Sequence, residues 1–469
     1  MPAAPTKTLG LTLLTGMVVG SMIATGAFTV PRSFAVSTGP LGLVIVWFVA
    51  GGGTVMLAFV FQTLARRRPD LDAGIFAYAE AGFGAYAGFL SALGYWAGVC
   101  LLNVSYFVLI KSTLGAIVPA FGHGNTPQAV IAASLVLWTI HLLILNGAKK
   151  AVVINAVVTA AKVSAVAAAV VILAMGFRLE TFTAAFWGGG AYGWAEVPGQ
   201  VQAALIVAVY AFIGIEGASV YSRYAKRRED VGRATFIGLA LVAFLFVLLS
   251  LLPYGILPRE EIAALRNPSL AGVVRAVVGP WGAWFVGLAL VVALTGAFLS
   301  RSLLAAEVLW SAAKAEAVPG LFRAQNGRGA PTAALWLSSA LVQAFLLLTL
   351  FAGEAYSIAV KLTGAMILVP YLLVALFALK LAHCEDGSVA ERWYAGLAAV
   401  YGVVLLWAAG PGLLLASTLI YVPGTVLFWL AAREQGRACF TPVERTAFAG
   451  LVLAAVAAAL GLAARILNP

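Results

Sequence analysis

The sequence predicts an all-α polytopic membrane protein, one transmembrane unit made of two inverted halves. Three observations carry this expectation. The 469 residues are 62% hydrophobic and only 10% charged, more apolar surface than a soluble domain can hide. Apolar stretches of about 18 residues or more, each long enough to cross a bilayer, recur from end to end. Two of these stretches, five spans apart, are interrupted by glycines around polar residues. The apolar runs do not alternate residue by residue, which excludes a β-barrel.

In chain order, spans 1 to 5 are expected at about 10–37, 40–65, 86–118, 127–147 and 150–176, the last closing a first repeat over about 10–176. Spans 6 to 10 follow at about 200–224, 233–256, 281–313, 332–352 and 355–380, a second repeat over about 200–380. Additional C-terminal spans, 11 to 13, fall at about 392–410, 412–432 and 442–466. Thirteen crossings put the termini on opposite sides. Twelve crossings and a surface helix are the alternative. The connections at about 178–199 and 258–280 do not look like domains. The first stretch is long and lacks a small-residue cleavage site, so it reads as a retained helix.

The net charge is +11, which in a soluble protein would suggest nucleic acid. Here the basic residues fall in alternate short loops: Arg66, Arg67 and Arg68; Lys149 and Lys150; Arg223, Lys226, Arg227, Arg228 and Arg233; Lys314, Arg323 and Arg328; Arg433, Arg437 and Arg445. That is the positive-inside pattern. It predicts a cytoplasmic N-terminus in a plasma membrane of bacterial type, and no nucleic-acid partner. Three cysteines, Cys100, Cys384 and Cys439, make no disulfide framework.

Span 1 contains "VVGSMIATGAFTVP", Val18 to Pro31, with Gly20 and Gly26 flanking Ser21 and Thr25. Span 6 contains "FIGIEGAS", Phe212 to Ser219. A glycine inside a helix costs about 1 kcal/mol relative to alanine, so the repetition needs a reason. Paired interruptions in corresponding positions of two halves point to a transporter with inverted repeats. Five spans is an odd number, so the second half is inverted relative to the first. Unwound backbone at membrane depth is tolerated where it lines a cavity. Half-helix N-termini favour a carboxylate and freed carbonyls favour an ammonium. Together they suit a zwitterion such as an amino acid. The competing reading is that the glycines serve close helix packing.

"GSMIATGAFTVP", "RRRPDLDAGIFAYAEAGFG", "AFIGIEGASVYS", "LLAAEVLWSAAKAEAVPGLF" and "LVPYLLVALFALK" resemble the basic amino acid/polyamine antiporter family, within the amino acid–polyamine–organocation superfamily. The resemblance covers essentially the whole chain and is nearest the arginine/ornithine exchangers. It implies the leucine-transporter fold, with a five-plus-five inverted repeat and broken spans 1 and 6. It also implies binding residues. Backbone amides of Ala24, Thr25 and Gly26 would hold the substrate carboxylate, with Ser21 and Met22 lining the same pocket. Carbonyls around Tyr210, Ile213 and Gly214 would hold the amine, with Tyr210 covering the site. Asn103 would lie near the distal part of the substrate, unless it only makes an interhelical hydrogen bond. Lys162 in span 5 would stand where sodium sits in sodium-driven relatives, so no sodium dependence is expected. Glu216 would gate or sense protons, or cap the broken helix. Glu307 would be structural or gating.

Two positions depart from the family pattern. Arg301 stands where a tryptophan commonly stacks on the cationic side chain of the substrate. Lys361 stands where a small or polar residue is usual, near the distal subsite. Lys111 is a third cation within a span, with the outer surface in reach. Arg301 and Lys361 would suit an anionic group, since Arg binds carboxylates in a bidentate manner. The alternative substrate class is therefore an acidic amino acid, a sulfonate or a dicarboxylate. Otherwise Arg301 pairs with a buried acid such as Glu216 and never meets substrate.

An enzyme would need a catalytic constellation. The three histidines, His123, His141 and His383, form none, and "FGHGNT" reads as a turn. No zinc-protease, nucleophile-elbow or cysteine–histidine metal pattern is present. No filter segment suggests a channel, and no output domain suggests a sensor. The expectation is a sodium-independent exchanger of amino acids or related amines, working by alternating access without a cofactor. Its partners are the small-molecule substrate and the lipid bilayer, with a homodimer left open.

Overall fold

The computed structural model describes residues 10–71, 75–116, 118–146, 148–188, 194–215, 226–351 and 355–467. These residues form helices throughout, with one isolated β-bridge between Gln325 and Pro331. Span 1 is two helices, 1a (Leu11–Met22) and 1b (Thr25–Ala35), bent by 44°. Spans 2 to 5 are Pro40–Arg67, Ala85–Leu114, Pro127–Leu145 and Ala148–Met175. The described part of span 6 is Val197–Phe212, called 6a below. Spans 7 to 10 are Arg228–Leu251, Pro280–Lys314, Thr332–Leu348 and Ala355–Cys384. Spans 11 and 12 share one 46-residue element, Val389–Glu434, divided by the single non-helical residue Gly410 (φ 75°, ψ 160°) before Pro411. Span 13 is Pro442–Leu467.

Each of the thirteen expected segments therefore contains a helix. Among the described residues, nine helices are long and apolar enough to cross a membrane, or ten if the bent pair is one span. The shortfall has clear causes. Spans 11 and 12 follow each other with only Gly410 between them and so count once, and the described part of span 6 and span 9 are shorter apolar helices.

Span 3 is the axis. In its most apolar window 94% of the residues are buried, and it packs on spans 8 and 10. Span 1a packs on spans 5 and 7, and span 2 on 6a, 7 and the 11–12 element. One indole ties the two broken spans together. Trp47 of span 2 lies edge-on to Phe34 at the end of 1b and to Phe212 at the end of 6a, both at 5.5 Å. Its Nε1 donates to Ser250 Oγ of span 7 at 2.9 Å. Aromatic pairs of this kind add about 0.5–1.5 kcal/mol each beyond area burial.

The connection at 258–280 is more ordered than the sequence suggests. It forms two short helices, Arg259–Ala264 and Ser269–Val278, packed on 1b. Their polar groups close the end of 1b: Arg259 Nε donates to Ala35 O at 2.8 Å, and Ser269 Oγ donates to Thr29 O at 3.2 Å. At the opposite end of the bundle, Glu391 caps span 11. It accepts from Ser388 N at 3.0 Å while its own amide donates to Ser388 Oγ at 3.2 Å. It also takes ion pairs from Arg66 at 3.0 Å and Arg67 at 3.4 Å. This reciprocal cap satisfies two of the four orphan donors of a helix start.

Candidate substrate site at the paired helix breaks

The glycines of span 1 do not themselves make its break. Gly20 and Gly26 are both helical, and the chain turns between them, at Ile23 (φ −76°, ψ 94°) and Ala24 (φ −134°, ψ −136°). Each glycine admits a neighbour instead. A Cβ on Gly20 would lie 2.5 Å from Thr159 Oγ1 of span 5, and one on Gly26 would lie 3.0 Å from Phe246 of span 7. The packing reading and the break reading are thus both satisfied, by different residues. In span 6 the glycine is at the break. The backbone leaves the helix at Ile213 (φ −61°, ψ 121°), and Gly214 has φ +117°, where L side chains are strained.

Helices 1a and 6a both end at these breaks, so their final carbonyls lack intrahelical partners and carry the negative end of each helix dipole. Two buried cations from other spans answer them. Lys162 Nζ donates to Gly20 O. Arg301 Nη2 donates to Ser21 O at 2.6 Å and to Ile213 O at 3.2 Å. Gly214 O accepts from Ser21 Oγ at 2.7 Å. Lys162 and Arg301 are 1% and 3% exposed. Burying such charges is expensive unless they are paired and hydrogen-bonded. Here the helix ends supply the partners.

Helix 1b begins at Thr25 among these groups, so its first amides also lack intrahelical acceptors. A run of hydroxyls lies beside it. Thr25 Oγ1 is 2.8 Å from Tyr210 Oη, which is 3.1 Å from Ser105 Oγ of span 3. One turn along 1b, Thr29 Oγ1 is 3.0 Å from Tyr356 Oη of span 10. Asn103 Nδ2 donates to Ser302 Oγ at 3.4 Å, joining span 3 to span 8 beside Arg301. Chemically the arrangement offers amide donors, hydroxyls and cation-seeking carbonyls within one buried region, which matches the two charged ends of an amino acid.

The structure brings together Ser21, Thr25, Tyr210, Ile213, Gly214, Arg301 and Lys162. Met22 and Ala24 are buried at the break, and Gly26 lies one residue into 1b. Arg301 turns its guanidinium onto the break carbonyls. One expectation is corrected: Lys111 does not reach the surface. It is 2% exposed and donates to Thr349 Oγ1 of span 9 at 2.8 Å. Lys361 is exposed on span 10, and no described hydrogen bond joins it to the group around the breaks. Glu307 is half-buried, six residues beyond Arg301 on span 8. Glu216 lies outside the described residues.

Sequence reasoning missed Ser105, Tyr356, Ser302 and Thr159. Ser302 adjoins Arg301, and Ser105 lies two residues from Asn103, but a serine or threonine in an apolar helix announces no direction. Among the described residues, no group of three or more His, Cys, Asp or Glu could hold a metal ion.

The model of the family described as amino acid permease matches residues 9–435. An arginine/ornithine antiporter of Pseudomonas aeruginosa is 43% identical over 98% of this chain and 98% of its own length. An L-lysine transport protein of Corynebacterium glutamicum is 36% identical over 98% of this chain and 96% of its own. An arginine/agmatine antiporter of Chlamydia felis is 34% identical over 92% and 91%. A solved Na+-coupled sialic acid symporter, in its substrate-bound outward-open state, superposes with a TM-score of 0.54 at 12% identity, covering 86% of this chain and 90% of that one. This last likeness shows the leucine-transporter-type fold that the two broken spans announce. Helical among its described residues and matched along nearly its whole length, this chain belongs to the amino acid permease family.

Proposed function

We propose that the protein is a sodium-independent exchanger of basic amino acids, arginine and ornithine first among them, in a bacterial inner membrane with its N-terminus in the cytoplasm. One observation carries the reading. The carbonyls of Gly20, Ser21, Ile213 and Gly214 converge at two half-helix ends beside the free amides of 1b. Such a site takes an ammonium at the carbonyls and a carboxylate at the amides. Lys162 already fixes a positive charge on a break carbonyl, the service a dissolved sodium ion would otherwise perform. The names of the relatives, for arginine, ornithine, agmatine and lysine, support a basic substrate. The two repeats at about 10–176 and 200–380 would rock about this site, and the substrate shifts the balance between outward and inward states only by its different affinity for each.

Counterflow in proteoliposomes tests it. Vesicles preloaded with unlabelled arginine, ornithine, lysine or glutamate are given the matching radiolabel, in sodium and in choline buffer. Uptake driven by arginine and ornithine, unchanged in choline, is the expected result. Uptake with glutamate alone would establish the anionic class and make Arg301 its carboxylate partner.

A further inference from the structure

We propose that Arg301 is a tethered stand-in for the ammonium of the substrate, which lets the carrier reorient with no substrate aboard and so permits net flux beside exchange. The inference rests on the transport function proposed for the same site.

Break carbonyls that close around a cation are stable in the closed arrangement only while a cation is there, because an unanswered buried oxygen dipole is costly. A carrier whose only cation is its substrate must therefore carry substrate in both directions, which is what makes exchange obligatory. This chain carries its own cation. One nitrogen, Arg301 Nη2, bridges Ser21 O of span 1 and Ile213 O of span 6. The side chain comes from span 8, which packs on spans 3 and 5, so it clamps the two broken spans from outside both. The fit depends on Gly214, where a Cβ would lie 2.6 Å from Nη2 and 2.8 Å from Ser21 Oγ. Lys162 holds Gly20 O, and Ser21 holds Gly214 O. The amine subsite is thus filled from within the chain. An arriving ammonium competes with Arg301 for the Ser21 and Ile213 carbonyls, and when it leaves, Arg301 returns to them.

The experiment loads proteoliposomes with labelled arginine, clamps the membrane potential with potassium and valinomycin, and measures efflux into buffer with and without unlabelled arginine. The unaltered protein should show net efflux of at least roughly a tenth of its exchange rate, since its substrate-free states interconvert. In Arg301→Ala the ratio of net to exchange flux should fall about tenfold or more, and millimolar guanidinium should raise it again. Arg301→Lys, which offers a point charge in place of a planar fork, should fall between the two. Exchange by the unaltered protein with net efflux below about 1% of it would overturn the inference and leave the transport function standing. So would an unchanged ratio in Arg301→Ala. If Arg301→Ala does not fold, the ratio in the unaltered protein and the Arg301→Lys value still decide. No flux of any amino acid in either arm would remove the transport function, and this inference with it.

Discussion

Gly214→Ala puts a single methyl group where two broken spans and a guanidinium meet. The backbone there has φ +117°, and the added carbon would lie 2.6 Å from Arg301 Nη2, 2.8 Å from Ser21 Oγ and 3.0 Å from Ser21 C. Backbone strain at such a position costs about 1–3 kcal/mol. Pushing Ser21 Oγ off Gly214 O forfeits a hydrogen bond worth about 0.5–1.5 kcal/mol. The combined penalty of about 1.5–4.5 kcal/mol lowers the population of the assembled site roughly tenfold or more. Arginine counterflow in Gly214→Ala should fall accordingly, together with a lower thermal midpoint in detergent. Gly16→Ala is the control. It lies in 1a, and no heavy atom stands within 4 Å of its added Cβ, so it should be neutral or gain up to about 1 kcal/mol of helix stability. Gly214→Ala counterflow within about threefold of the unaltered protein, with no loss of stability, would refute the argument that this glycine sets the break.

Three further outcomes follow from the contacts. Lys162→Met removes the charge held on Gly20 O and should cut counterflow at least roughly tenfold, because a buried acceptor left without its donor costs about 1–3 kcal/mol; a fluorescence melt on the same sample separates loss of fold from loss of transport. Tyr210→Phe removes contacts to Thr25 at 2.8 Å and Ser105 at 3.1 Å, and two hydrogen bonds of about 0.5–1.5 kcal/mol each predict a roughly five- to 150-fold weaker half-saturation, read by competition with labelled arginine. Glu391→Ala, far from the site, removes a reciprocal helix cap and two ion pairs; it should lower stability by about 1–2 kcal/mol in a melt and leave the rank order of substrates unaltered.

Spans 1 and 6 were legible as broken because glycine and polar residues in an apolar run contradict the requirement of a plain crossing. Lys162 was legible because a buried ammonium demands a partner. The direction of Arg301 was not. An arginine has several rotatable bonds, and which acceptors it reaches depends on how span 8 sits against spans 1 and 6. Lys361 and Lys111 show the same limit from opposite sides, one exposed and one buried. In a membrane helix the lipid-facing and protein-facing surfaces are both apolar, so the hydrophobic period that orients a soluble helix carries little information. The hydroxyls of Ser105 and Tyr356 went unread for that reason. The short helices at 259–264 and 269–278 went unread because a loop gains its order from the end of 1b that it covers.

Spans 3 and 13 differ sharply in how much of each is enclosed: 94% of the most apolar window of span 3 is buried, and 6% of that of span 13. A residue on span 3 is answerable to neighbours on several elements at once, so a change in its volume must be accommodated by all of them. A residue on span 13 has few neighbours within the chain to satisfy, so it accepts many apolar shapes. Mutational drift should therefore run at two speeds within one chain. A saturation library scored for amino acid transport would leave span 3 almost fixed in sequence, while span 13 wandered freely among alanine, leucine and valine.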